Sequence, residues 1–184
     1  DPLWSRGLGD VYKRQVTASG SGSYNNGQYK ASQSKKQTNS ISYLLVDGYN
    51  IIHAWGELEE LSRINMDSAR DKLLDIMCNY QGMKKCELIV VFDAYRVSGH
   101  HEEYMDYHNI HVVYTKEAET ADHYIEKFAH ENGKKYNITV ATSDGLEQVI
   151  IRGAGCLLYS AREFEKEVKA MEEHIRSDYL NRTY

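Results

Sequence analysis

Residues 43–52 read Tyr43-Leu44-Leu45-Val46-Asp47-Gly48-Tyr49-Asn50-Ile51-Ile52, and this stretch decides how the rest of the chain is read. Four apolar residues run without a polar break and end in Asp-Gly, the pattern of a strand buried on both faces followed by a turn. Glu87-Leu88-Ile89-Val90-Val91-Phe92 repeats the design and again ends in an acid, Asp93. Ile110-His111-Val112-Val113-Tyr114 is a weaker third strand, residues 138–142 a fourth that runs through Ser143 into Asp144-Gly145, and residues 156–159 a short fifth.

Helical periodicity fills the gaps. Residues 67–82 carry Ala69, Leu73, Ile76, Met77 and Tyr80 at three- and four-residue spacing, which predicts one apolar face. Residues 119–132 do the same with Ala121, Tyr124, Ile125, Phe128 and Ala129, with Gly133 placed to close the helix. A shorter helix is expected over 145–152, presenting Leu146, Val149 and Ile150, and a last one begins at Ser160, which forms a capping box with Glu163. Strands alternating with helices imply βαβ units: an α/β fold with a central, mostly parallel five-stranded sheet flanked by helices on both faces.

The 42 residues before this pattern are of another kind. Residues 1–42 hold six Lys/Arg against two acids, and 18–40 are nearly free of aliphatic side chains, so the segment is expected to be a disordered basic, Ser/Gly-rich tail. Its first fifteen residues, DPLWSRGLGDVYKRQ, resemble translated sequencing-adapter sequence; a basic arm that touches RNA is the alternative. The domain is therefore expected over 43–184, within the ~100–200 residues usual for one domain. The net charge of −5 conceals a body at −9, the wrong sign for holding nucleic acid by bulk electrostatics. No apolar run approaches the ~20 residues that cross a bilayer. Cys78, Cys86 and Cys156 are odd in number and fit neither a disulfide framework nor a zinc knuckle, so a cytoplasmic, reducing setting is expected.

Where the acids fall matters more than their number. Asp47, Asp93 and Asp144 each end a strand at the edge where open parallel sheets bind ligands. Glu119 and Asp122 start the helix after the third strand, and their spacing of three is expected to put both on one helical face. Carboxylates gathered this way repel unless a cation neutralises them, and all-oxygen ligation suits Mg²⁺ or Mn²⁺ rather than zinc. Such ions activate water and stabilise charge on a phosphoryl centre. The competing reading of each acid is a turn residue or helix cap. Asn50 is either a turn amide or a group that positions a phosphate or water, and Ser143 either caps the helix after Asp144 or assists catalysis.

Val46-Asp47-Gly48-Tyr49-Asn50 followed by Ile51-Ile52 resembles the opening motif of NYN-domain proteins, a branch of the PIN-like nucleases. The runs Val90–Ala94, Thr115–Glu117, Glu119–Asp122, Ala141–Asp144, Glu147-Gln148 and Ser160–Glu163 are similar in order and spacing to the YacP-like group, bacterial ribosome-associated endoribonucleases. The resemblance covers about residues 43–178. It implies a three-layer PIN-like (NYN) fold and metal-dependent cleavage of mRNA in the ribosome, with mRNA and ribosome as partners and a monomeric chain. It implies that Asp47, Asp93, Asp122 and Asp144 carry the metal site, assisted by Asn50 and Glu119; Ser143 stays a catalytic candidate on its position alone. Members of the group commonly continue past the position of Tyr184 with a basic stretch, a difference that bears on docking more than on chemistry.

Two alternatives remain beside it. One is a non-catalytic RNA- or ribosome-binding module on the same fold. The other, a receiver or haloacid-type phosphatase domain, fits poorly: Asp47-Gly48 and Tyr159-Ser160 lack a receiver's paired acids and lysine, and Tyr49 stands where the phosphatase's Asp-x-Asp needs its second acid. Among the features outside the motifs, His100, His101, His108 and His111 match no zinc spacing and read as a mobile, solvated loop, in which Arg96, Tyr104 and Tyr107 could meet RNA.

Overall fold

Valine, isoleucine and leucine runs bounded by turn residues form the strands, and the structure, a computed structural model, describes residues 41–94 and 103–182. All but the last two residues of the expected tail, together with Arg96, His100 and His101, lie outside the described residues. In chain order the elements are β1 (Ser42–Asp47), α1 (Gly48–Ala54), α2 (Gly56–Ile64), α3 (Met66–Lys84), β2 (Glu87–Phe92), β3 (Glu103–Tyr107) and β4 (Ile110–Tyr114). They continue with α4 (Ala121–Asn132), β5 (Asn137–Ala141), α5 (Gly145–Gly153), β6 (Leu157–Tyr159) and α6 (Ala161–Asn181). The sheet order is β3-β4-β2-β1-β5-β6. Every pairing is parallel except β3 with β4.

β1 lies between β2 and β5, and its alternating side chains serve two layers. Leu44 and Val46 join Leu88, Val90 and Phe92 in one core with Leu73 and Met77 of α3 and with Phe164 and Val168 of α6. Tyr43 points to the opposite face, where its ring meets Phe128 of α4 edge-on at 5.4 Å. The same alternation places Leu45 and Asp47 on the α4 side, so the parity of the strand aims the acid before any contact is made.

Gly48 is fixed by packing rather than by its backbone angles. A Cβ there would lie 2.2 Å from Cε1 of Phe92, so only glycine lets α1 start directly above the β2 ring. Gly133 likewise caps α4 at a right-handed φ of −60°, so it closes the helix without the left-handed turn usual for a terminating glycine. The Ser160–Glu163 capping box forms as expected.

Three expectations need correction, and one further stretch gains its structure. The sheet has six strands among the described residues, because 103–107, read as part of a solvated loop, pairs antiparallel with β4. Its sequence Glu-Tyr-Met-Asp-Tyr mixes acids and aromatics as an exposed edge strand does, and the turn places His108 at φ 51°, a region histidine tolerates better than bulky residues do. Residues 48–64 form α1 and α2. Glu119 precedes the cap Thr120 and lies outside α4, so it shares no helical face with Asp122. The expected apolar face of α5 points outward: Leu146 and Val149 are 73% and 66% exposed, whereas Glu147 and Ile151, one turn apart, are buried.

Candidate metal centre

Three helix N-termini meet Asp47 at the C-terminal edge of the sheet. Asp47 ends β1 and is 5% exposed; its Oδ1 accepts the backbone N–H of Asn50 at 3.3 Å and so caps α1. α4 starts beside it, capped by the Thr120 hydroxyl, which accepts from His123 N. That start places Asp122 in the first turn. α5 starts at Asp144, whose Oδ1 accepts from Leu146 N and Glu147 N at 2.9 and 3.0 Å and sets the helical phase that turns Glu147 inward. Carboxylate oxygens of Asp47, Asp122 and Glu147 then lie within 4.8 Å of one another.

The electrostatics of this group are unfavourable as it stands. Burial pushes Asp47 up to about 9, and the nearby carboxyls of Glu147 and Asp122 add to the shift, while the Asn50 N–H opposes it. Burial likewise raises Glu147 to about 8, with Asp122 and Asp144 adding to it and the Thr142 hydroxyl opposing it. Glu147 is 1% exposed, and neither of its oxygens meets a partner in hydrogen-bond geometry, the Thr142 hydroxyl being near enough only to oppose the shift. A buried carboxylate without partners carries a large desolvation cost. A hard divalent cation, whose oxygen ligands sit about 2.0–2.6 Å away, would satisfy all three acids at once, and the donor set fits one.

The sequence-expected residues divide around this centre. Asp47 and Asp122 are in it. Asp93 stands at the end of β2, where its Oδ1 accepts the backbone N–H of Ala121 at 2.6 Å and anchors the start of α4. Asp144 is the α5 cap, close enough to Glu147 to act on its charge. Neither belongs to the three-acid group. Glu119 is half-buried just before α4, with its carbonyl accepting from the Thr115 hydroxyl at 2.6 Å. Asn50 Oδ1 accepts the Ser143 N–H at 2.8 Å, and Ser143 Oγ accepts the Ala161 N–H at 2.9 Å. Ser143 therefore caps neither α5 nor its own turn.

The sequence pattern did not bring Glu147 into the acidic group because its helix looks amphipathic with Leu146, Val149 and Ile150 as the apolar side. The available signal was its position three residues after the capping Asp144, which fixes it in the first turn over the same edge. The histidines behave differently. His111 holds Asp106 Oδ1 through Nδ1 at 2.7 Å and Glu87 Oε2 through Nε2 at 3.2 Å, on the β2–β4–β3 side of the sheet.

A family model described as the YacP-like NYN domain matches residues 44–184. The protein YacP of Bacillus subtilis (strain 168) is 46% identical over 136 residues, which are 73% of this chain and 79% of YacP. Two crystal structures of Rae1 (YacP) from Bacillus subtilis are similar. The one of a tryptophan-to-leucine mutant gives a TM-score of 0.68 at 42% identity, covering 78% of this chain and 84% of that one. The other gives 0.66 at 44% identity, covering 77% and 81%.

Proposed function

From the membership of this chain in the YacP-like NYN domain family, a family of nuclease-like domains, we propose that it is a divalent-metal-dependent endoribonuclease cutting mRNA on the translating ribosome. The observation that carries the reading is Glu147: a fully buried carboxylate with two unpartnered oxygens, facing Asp47 and Asp122. Asp47, Asp122 and Glu147 would hold Mg²⁺ or Mn²⁺. When bound, the ion supplies an activated water and stabilises charge on the phosphoryl oxygens.

The chain's own residues do the rest. Burial leaves Asp47 and Glu147 holding protons near neutral pH, and these protons must leave as a cation enters. Asp93 and Asp144 spend their carboxylates on helix starts, which fixes the elements that carry Asp122 and Glu147. The body at −9 collects little counterion-release energy from bare RNA, so delivery of mRNA by the ribosome fits the charge, and a cytoplasmic location goes with that partner. Among the described residues, no helix is long and apolar enough to cross a membrane.

Asp93 and Asp144 being engaged as caps favours a second reading, a non-catalytic RNA- or ribosome-binding module. Cleavage of mRNA in a translating extract separates the two. Wild-type protein should cut, and Asp47→Asn and Asp122→Asn should not. Ribosome binding by the wild type without cleavage would favour the module, and undiminished cutting by both variants would sink the metal site.

A further inference from the structure

The three acids come from three separate elements, so something must hold those elements in mutual register. Two polar residues, Asn50 and Ser143, make the bonds that do so. The backbone N–H of Asn50 donates to Asp47 Oδ1, while its side-chain Oδ1, reaching the other way, accepts from Ser143 N. One residue thus ties the first acid to the turn between β5 and α5, ninety-three positions along the chain.

That turn is otherwise tied mostly to itself. Asp144 N donates to the Thr142 hydroxyl, Leu146 N and Glu147 N donate to Asp144, and Gln148 Nε2 donates to the Thr142 carbonyl. Thr142 N reaches β6 through the Tyr159 carbonyl at 3.0 Å. A turn bonded within itself moves as a body, so its placement against Asp47 depends on what it grips outside. Beside the Thr142 bond to β6, the grips are Asn50 on one side and, through Ser143 Oγ, the first residue of α6 on the other. Ala161 is itself held at its carbonyl by the Trp55 indole N–H at 2.8 Å, at the α1–α2 junction. The chain of bonds therefore runs from Asp47 through Asn50, Ser143 and Ala161 back to the end of α1.

We infer that Asn50 and Ser143 are positioning residues: they clamp the β5–α5 turn so that Glu147 is presented to Asp47 and Asp122. The inference rests on the metal reading above for its consequence but not for its geometry. Asn50 acts as an acceptor here, so Asn50→Asp preserves the bond and Asn50→Ala removes it. Ser143 acts through its hydroxyl oxygen, so Ser143→Thr preserves the bond to Ala161 and Ser143→Ala removes it.

Two measurements on the full chain test this. The first is amide hydrogen exchange of the 142–148 segment, which needs no metal. Exchange should speed at least several-fold in Asn50→Ala, less in Ser143→Ala, and stay near wild type in Asn50→Asp and Ser143→Thr. The second is Mn²⁺ affinity, read by titration with the metal alone. Loss of a partner that orients a ligand costs about 10–100-fold in affinity, so Asn50→Ala should fall in that range while circular dichroism stays unchanged. Unchanged exchange of 142–148 in Asn50→Ala overturns the inference, as does wild-type Mn²⁺ affinity in that variant. A wild-type protein that binds no Mn²⁺ overturns the metal reading instead, and the exchange result still decides the clamp.

Discussion

Two acidic clusters sit on the same sheet and have opposite characters. At the C-terminal edge of β1, Asp47, Asp122 and Glu147 are gathered, and neither buried oxygen of Glu147 has a hydrogen-bond partner. Across β2, β4 and β3, Glu87 and Asp106 approach the two nitrogens of His111, with both carboxylates substantially exposed. Each group counts a few titratable side chains within a few ångströms. Water and a histidine satisfy the second where it stands. The first is left with a cost that only protons or a cation relieve, so the mark of a site is the missing partner rather than the number of acids.

Removing one acid from each cluster gives the sharpest contrast. Glu147→Gln should lower metal-dependent cleavage by about 100-fold or more, as expected for loss of a ligand or its orienting contacts, and should raise the stability of the metal-free protein near pH 8. Glu87→Gln combined with Asp106→Asn should leave cleavage unchanged. Cleavage rates and denaturant melts on the same preparations check both, and equal effects from the two clusters would erase the distinction.

The pH dependence follows with a definite sign. Asp47 and Glu147 have folded-state pKa values above those of the unfolded chain, so the folded protein keeps protons that the unfolded chain releases. Stability of the metal-free protein should therefore fall as pH rises from the ordinary carboxylate range toward about 9. Mn²⁺ affinity should rise across the same interval. Melts at pH 5 and pH 8 test the slope, which should be smaller in a Glu147→Gln variant; a flat profile in the wild type contradicts the burial argument.

A smaller effect tests the packing under the first cluster. Gly48→Ala drives a methyl into the Phe92 ring, which also meets Tyr49 at 5.0 Å and Tyr114 at 5.5 Å. Overpacking of this kind costs about 1–3 kcal/mol, to be read as a lowered denaturant midpoint at unchanged slope.

How much of this was legible in the sequence depends on which physical rule governs each residue. The parallel strands were legible because Leu44–Val46 and Leu88–Phe92 are buried on both faces and so read as unbroken apolar runs. Asp47 and Asp122 followed from strand ends and helix starts. β3 was not legible, since an edge strand solvated on its outer side has no need of apolar alternation. Glu147 was hidden for a related reason. The phase of α5 is set by the Asp144 cap and by Ile151, not by Leu146 and Val149, and only tertiary packing tells which side of a short helix faces in. Asp93 and Asp144 carry a signature that strand-end acids and helix caps share, and each accepts the N–H of a helix start.

The smallest expected effect concerns the satisfied cluster itself. His111→Ala removes both ring bonds but leaves Glu87 and Asp106 about half exposed or more, free to take water instead. With the carboxylates open to solvent although His111 is only 18% exposed, pairs of this kind contribute about 0.2–1 kcal/mol and are screened by salt. The variant should thus lose no more than that in a denaturant melt, and the loss should shrink at high ionic strength. β4 keeps its backbone ladders to β2 and β3 whatever the side chain at 111, so the sheet order should survive. A loss of several kcal/mol would mean that His111 is holding the β3 edge in place, and the two clusters would then differ in what they hold rather than in whether they are satisfied.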